Sequence, residues 1–506
     1  MIRFKPFQIV FLLFLLSVLV RLPNLNRPLS KHHEFNAAFF LIPIEIWTEE
    51  GAQNHGHLPT YNYANPGDLF VPEPIAIASG EKSGRYYYLS LPPLSYIAPH
   101  YFFKLLGLQP TPLNLQVFNL ILHALVLFFL FKTLTQFFTE KNALMATVMY
   151  LFAPGPLWFH GNGYTHHVFA VLPLIMTIYF FAKFVKDQNS KNKQLLGFAI
   201  SLAVLIYSEW IGVFVGATIF IRSVFHFRIK KFRKIALISV FVGLFSVAIL
   251  LFQYVYFMGW EQYKTYMLDR FVERSGMESA VGFFGYFVRW LYWSFISYGI
   301  WIPSIFFAVI LFFWKRKSAL SSIERQTFLV VLIPLLIYQL VFREFAYVHE
   351  YSVLYQGLLW AFLTCIFLEK IDWKQLELFQ KIRPFAKTIR LSSLGFVCAL
   401  FVMQYYFINR PGEIAQNGDR YDQLMIIGQI IRQNAQPHER VFLHIPDQSL
   451  DFVNPQLNFY AKRNFKPVRI RDEIYNFMLE FGGEQAHVFY IENGGIVDTE
   501  VLAFEQ

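Results

Sequence analysis

The chain has 506 residues, 55% of them apolar and 19% aromatic (59 Phe, 28 Tyr and 10 Trp), with only 15% charged. Soluble domains carry about 25% charged residues, so an ordinary soluble enzyme, a disordered chain and a disulfide scaffold are excluded; the two cysteines, Cys365 and Cys398, lie inside apolar runs. The net charge of +10 does not imply nucleic-acid binding, because Lys and Arg concentrate in alternate segments between apolar runs, as the positive-inside rule requires.

Taken in chain order, apolar runs fall at 7–22, 113–131, 143–159, 168–184, 195–210, 211–225, 235–257, 301–314, 328–342, 351–368 and 391–408. They predict a mainly α, polytopic membrane protein of about 11 transmembrane helices, embedded in the lipid bilayer. Basic runs such as Arg228-Ile-Lys-Lys-Phe-Arg-Lys and Lys315-Arg-Lys share one side. Placing that side in the cytoplasm puts the N-terminus inside and the C-terminus outside a bacterial inner membrane. The first run has a basic leader, but Arg21-Leu-Pro-Asn-Leu-Asn offers no small-residue cleavage site, so it reads as a retained anchor.

Residues 1–408 form the transmembrane unit, with a first outer loop at about 23–112 and a second at about 258–300. Within the first loop, 35–47 and 92–106 read as amphipathic helices lying along the interface. Beyond 409 the composition turns soluble. An amphipathic run at 421–434, the strand-like Arg440-Val-Phe-Leu-His-Ile, a helix near 472–481 and the strand His487-Val-Phe-Tyr-Ile predict a small C-terminal α/β domain outside the membrane over 409–506.

Ionisable residues gathered at one side of a membrane protein mark function. Of the 14 histidines, His32, His33, His55, His57, His100, His160, His166, His167 and His349 all fall in outer loops or the helices bordering them. The segment Leu29-Ser-Lys-His-His-Glu-Phe-Asn-Ala-Ala places the carboxylate of Glu34 just past the first span, where it can meet a lipid headgroup. Arg85-Tyr-Tyr-Tyr-Leu-Ser-Leu-Pro-Pro-Leu-Ser-Tyr closes the same loop. Its prolines fix a helix N-terminus whose free N–H groups can meet an anion.

The acidic residue after the first span, the Pro-Pro-Leu helix, the number of spans, the basic inner loops and the outer tail domain together resemble the C-class glycosyltransferases (GT-C). Within them the pattern is most similar to the protein O-mannosyltransferase and lipid A aminoarabinose transferase branch, over roughly residues 1–410 as an arrangement. The tail stretch Gln456-Leu-Asn-Phe-Tyr-Ala-Lys-Arg-Asn is similar to that of some bacterial members. The resemblance implies transfer of a sugar from a polyprenyl phosphate donor to a glycolipid, protein or cell-wall acceptor on the extracytoplasmic face. Where the family carries Asp-Glu this chain has His33-Glu34, so Glu34 takes the general-base position by match and His33 is a departure. Relatives often place an acidic residue, sometimes followed by Lys, where this chain has Leu89, Ser90 and Leu91.

Attack of a hydroxyl or amine on an anomeric carbon needs a base on the nucleophile and positive charge on the leaving phosphate. Glu34, beside His33, supplies the catalytic base. Arg85, Arg270, Arg274 and Arg343 are the candidates for binding donor phosphate, Arg270 and Arg274 sharing one face if their segment is helical. His166, His167, His349 and Tyr88 are the candidate substrate contacts. A divalent ion (Zn, Mn or Mg) would find imidazole ligands among His33, His55, His57, His166 and His167, with His55-Gly-His57 as a ligand pair. One base and direct displacement give inversion. Two rival readings stand beside this one. A polysaccharide polymerase or ligase would keep its large outer loop late in the chain. A secondary transporter would carry charges in mid-span, where this sequence has little beyond Glu209 near a span end.

Overall fold

The computed structural model describes residues 5–69, 71, 77–78, 85–187, 192–302, 321–370, 386–408, 418–446, 455–492 and 495–504. The first part of the chain forms helices α1 (Pro6–Arg21), α2 (Phe35–Glu50), α3 (Leu94–Leu106), α4 (Pro112–Leu134), α5 (Glu140–Phe152), α6 (Pro154–Phe159), α7 (His166–Lys186), α8 (Asn192–Ile206) and α9 (Ile211–Val224). It continues with α10 (Lys230–Met258), α11 (Trp260–Ser275), α12 (Phe283–Tyr298), α13 (Ser322–Val341), α14 (Arg343–Val348), α15 (Gln356–Lys370) and α16 (Ala386–Ile408). Among the described residues, six helices are long and apolar enough to cross a membrane: Pro6–Asn24, Pro112–Leu134, His166–Lys186, Lys230–Met258, Ile323–Val341 and Glu350–Glu369. Shorter apolar helices, Asn192–Ile206, Ile211–Val224 and Leu391–Phe407, stand beside them. The chain is an integral membrane protein.

The expected run at 143–159 divides into α5 and α6 at Ala153-Pro154, because proline has no N–H to continue the helical ladder. The expected span 301–314 lies outside the described residues except for Trp301 and Ile302. Polar caps set where the long helices start. Thr111 accepts from the Asn114 N–H and Thr165 from the Val168 N–H, and Ser321 with Glu324 closes a capping box on α13.

The helix expected along the interface at 35–47 is instead the buried floor of the first loop. From Asn36 to Trp47 nearly every residue of α2 is buried. Phe39 packs on Tyr61 and Tyr88, while Phe40 stacks on Tyr96 with ring centroids 4.1 Å apart. A helix apolar all round is stable only when covered, and the rest of the loop and the tail cover this one. The helix expected from Pro92 begins at Leu94, and its first N–H already donates to the Tyr207 carbonyl at 3.2 Å.

A short hairpin, β1 (Ile77–Ala78) and β2 (Tyr86–Tyr87), closes the first loop. The tail comprises α17 (Gly418–Asn434), β3 (Arg440–His444), α18 (Pro455–Ala461), β4 (Phe465–Val468), α19 (Asp472–Phe481), β5 (Gln485–Glu492) and β6 (Gly495–Ala503). The strand order is β4-β3-β5-β6, parallel where β3 meets β4 and β5, and antiparallel between β5 and β6. Val441, Leu443, Phe489 and Ile491 face a core with Leu424, Ile427 and Leu457 on one side of this sheet. Phe442 and Val488 meet Ile474, Phe477 and Met478 on the other. Alternation along β3 and β5 therefore fills two apolar layers, as a sheet covered on both faces requires.

The tail is fastened to the first loop by its segment 456–464. Gln456 donates to the Leu29 carbonyl at 3.0 Å, the Leu29 N–H donates to Tyr460 Oη at 2.6 Å, and Arg463 pairs with Asp68. At Gly67 the chain passes so close that an added Cβ would lie 2.0 Å from the Glu439 carbonyl oxygen.

Candidate active site

Glu34 sits at the N-terminus of α2, fully buried. Its Oε1 accepts from Arg27 Nη2 at 2.5 Å and Asn162 Nδ2 at 3.2 Å. Oε2 accepts from Arg27 Nη1 and from the Ser30 and Lys31 amides, each at 2.9 Å. Every donor around this carboxylate points at it, so in this arrangement it organises the loop between α1 and α2 and has no lone pair left for a substrate proton. No motif or spacing in the chain marks Arg27 as its partner.

His33, next to it, adopts the left-handed region with φ +54°, a conformation that non-glycine residues keep only where the surroundings impose it. Its two ring nitrogens find no hydrogen-bond partner among the described residues. His32 Nε2 lies 2.6 Å from Glu350 Oε2, and His33 Nε2 lies 3.8 Å from the same oxygen. The three side chains bring ligand-capable atoms within 4.8 Å of one another. Burial, then the neighbouring His32 and His349, hold the His33 imidazole well below its usual range. Neutral imidazole is the form that binds metal, and two imidazoles with one carboxylate are a donor set suited to Zn²⁺.

The pair expected to bind metal does not converge. His55 contacts Glu50 at 3.2 Å and Tyr87 Oη at 3.1 Å, whereas His57 Nε2 meets Tyr101 Oη at 2.7 Å. His57 also has positive φ, +59°. Burial raises the Glu50 carboxyl, but the His55 hydrogen bond and the charge of Arg85 outweigh that and hold it below its ordinary value.

A cavity of about 350 Å³ opens beside this cluster, at the ends of α2, α7, α11 and α14. All four expected substrate contacts, Tyr88, His166, His167 and His349, line it, as do Arg270 and Arg274. The segment carrying the two arginines is helical, so the i, i+4 spacing does place them on one face. Arg274 is buried, donates to the Ser90 carbonyl and to Tyr88 Oη at 3.2 Å each, and lies over the Phe345 ring at 5.1 Å. Arg270 donates to Ser90 Oγ at 3.3 Å and pairs with Glu273. Their field is felt by His349, whose pKa is held down to about 3 by burial and then by Arg274 and Arg270.

The other two expected phosphate ligands lie elsewhere. Arg85 pairs with Glu50 at 2.8 Å and donates to the Asn62 carbonyl, fixing the loop hairpin. Arg343 donates to the Ser275 and Gly276 carbonyls at 2.8 and 3.0 Å and stacks on Tyr286, so it caps the end of α11. Both guanidiniums are consumed by neighbours that sequence spacing could not reveal.

Behind the cavity runs a buried polar chain. Glu209, in the turn between α8 and α9, accepts from the Ile211 N–H at 2.7 Å, Tyr338 Oη at 3.0 Å and Tyr355 Oη at 3.2 Å. Tyr338 Oη in turn lies 2.9 Å from His167 Nε2. A charge near a span end was the only sequence signal for Glu209; its tyrosine partners carried none.

A sequence profile of the family described as dolichyl-phosphate-mannose-protein mannosyltransferase matches residues 90–256. Among solved structures, ArnT from Cupriavidus metallidurans bound to undecaprenyl phosphate superposes with a TM-score of 0.61 at 14% identity, covering 95% of this chain and 92% of that one. The chain has the GT-C fold. The oligosaccharyltransferase of Archaeoglobus fulgidus, solved with Zn and sulfate, shares this GT-C fold with a TM-score of 0.55 at 13% identity, covering 96% of this chain and 68% of that one. No curated protein matches the chain by sequence.

Proposed function

We propose that the chain transfers a sugar from a polyprenyl phosphate donor to an acceptor on the extracytoplasmic face, with inversion at the anomeric carbon. The observation that carries this reading is the cavity in which Arg270 and Arg274 present two guanidiniums among aromatic and aliphatic walls. Two guanidiniums match a phosphate, and Phe35, Phe39, Phe345 and Val348 beside them suit the apolar start of a polyprenyl chain. Ser90 holds both arginines. It occupies the stretch where relatives often carry an acidic residue, sometimes followed by Lys, and α11 brings positive charge beside it in space.

Displacement at the anomeric carbon breaks its bond to the phosphate oxygen, which departs with the electron pair toward Arg270 and Arg274. The carboxylates in the cavity wall, Glu273 and Glu344, contact Arg270 and Tyr286 Oη (2.5 Å), respectively; one base and one direct displacement give inversion. Glu34 holds the loop floor through Arg27. His32, His33 and Glu350 would hold a divalent cation, which when bound would supply further positive charge near the donor phosphate.

The test uses the full chain in lipid nanodiscs with a panel of undecaprenyl phosphate sugars and crude membrane acceptors, with and without EDTA, following release of undecaprenyl phosphate. Release with at least one donor, lost in Arg274→Ala, is expected. No release from any donor in the presence of acceptors would overturn the reading.

A further inference from the structure

We propose that His167 is the proton acceptor of the transfer, held in its working tautomer by Glu209 through Tyr338; this rests on the glycosyltransferase reading of the cavity. Three observations fix the ring. The ring is stacked against Phe345, 5.2 Å away at 14°, and Tyr355, 5.3 Å away at 27°. Its Nε2 edge is tied to Tyr338 Oη at 2.9 Å. Its Nδ1, in a residue only 1% exposed that lines the cavity, has no hydrogen-bond partner among the described residues.

The tautomer follows from counting protons. The Tyr338 hydroxyl has one, and it is donated to Glu209 Oε1. A carboxylate accepts only, and Glu209 already collects a backbone N–H and two phenols. The phenol oxygen can therefore only accept from His167, which places the imidazole proton on Nε2 and a lone pair on Nδ1. The logic is that of a base oriented by a third group, with a tyrosine inserted between imidazole and carboxylate.

In the reaction the acceptor's oxygen or nitrogen forms a bond to the anomeric carbon. The bond from that carbon to the phosphate oxygen breaks, and the leaving phosphate takes the electron pair to Arg270 and Arg274. The acceptor proton moves to Nδ1, giving an imidazolium whose Nε2–H still donates to the Tyr338 oxygen. Water takes the proton afterwards and restores the base. Glu209 and Tyr338 act through His167 and are positioning residues.

The test combines activity with a direct view of the tautomer. Full-length protein carrying ¹⁵N-histidine is placed in nanodiscs, and the His167 resonance is assigned by its loss in His167→Gln. The wild type should show an unprotonated Nδ1 and a protonated Nε2. In Glu209→Gln an amide N–H₂ faces the phenol oxygen, turns the phenol proton toward Nε2, and should move the ring proton to Nδ1. With a donor that the wild type turns over, both variants should lose about 10²- to 10⁴-fold in kcat, with little change in KM for donor. Tyr338→Phe, which keeps the packing, should fall in the same direction. A wild-type ring protonated on Nδ1, or transfer at the wild-type rate by His167→Gln, would overturn the assignment while leaving the donor reading intact. Loss of that reading would show instead as no undecaprenyl phosphate release by the wild type, and the tautomer measurement stands without it.

Discussion

Arg463 Nε and Asp68 Oδ2 meet at 3.0 Å across the seam between the tail and the first loop, with side chains 5% and 0% exposed. Asp68 also accepts from the Asn464 N–H and Asn65 Nδ2. Arg463 spends its other donors on the Ala435, Gln436 and Glu439 carbonyls. The pair thus joins two segments far apart in sequence and sets how the tail covers α2.

That pair gives a pH dependence with a definite sign. Burial pushes the Asp68 carboxyl up to about 6, against the opposing charge and hydrogen bonds of Arg463. A folded value above the unfolded 3.8 means that folding favours the protonated form. The contribution is fully present below about pH 4 and is lost as pH rises through about 6. The Tm difference between wild type and Asp68→Asn should therefore change across that window and level off on either side. A difference that is flat from pH 4 to pH 6 would show that Asp68 does not titrate there.

Glu34→Gln separates a structural carboxylate from a base. Removing one partner of a buried ion pair costs about 3–5 kcal/mol, and Arg27, 16% exposed, would be left beside an amide. The variant should unfold at markedly lower denaturant concentration, with activity falling in step with the folded fraction. A variant as stable as the wild type but unable to transfer would return Glu34 to the base position that the family resemblance assigns it.

How much of this was legible in the sequence depends on the range of the interaction. The spacing of Arg270 and Arg274 announces a shared helix face because i, i+4 is a local rule, and the strands and helices at 440–444, 472–481 and 485–492 announce themselves by period. The helix at 35–50 was legible as a helix but not as a buried one, since what covers it comes from the tail and from distant parts of the first loop. His32 and Glu350 are 318 residues apart, and only the packing of α7, α14 and the first loop brings them together. Arg343 and Arg85 carry the right chemistry for phosphate, yet backbone carbonyls and Glu50 claim them first.

The cluster of His32, His33 and Glu350 predicts metal binding that can be measured without turnover. Isothermal titration with Zn²⁺ should show one site on the wild type. Loss of a supporting partner weakens metal sites about 10- to 100-fold, so removal of a ligand in His33→Ala or Glu350→Gln should weaken this one at least that far. His55→Ala should leave the titration unchanged, because His55 is occupied by Glu50 and Tyr87. Equal affinity in His33→Ala and wild type would remove the cluster from consideration as a metal site.

Arg274 and Arg343 provide the sharpest contrast, since both are arginines near one cavity and only one faces it. A hydrogen bond to a charged group is worth about 1.5–3 kcal/mol, so Arg274→Ala should weaken binding of undecaprenyl phosphate roughly 10- to 100-fold. Arg343→Ala loses two bonds to main-chain carbonyls at the end of α11. It should lower stability by about 1–3 kcal/mol while changing affinity for the lipid phosphate less than about threefold. Binding to nanodisc-embedded protein, measured with labelled undecaprenyl phosphate, distinguishes the two. Equal losses in both variants would mean that the phosphate bridges α11 and α14, and that Arg343 leaves its carbonyl partners when the donor arrives.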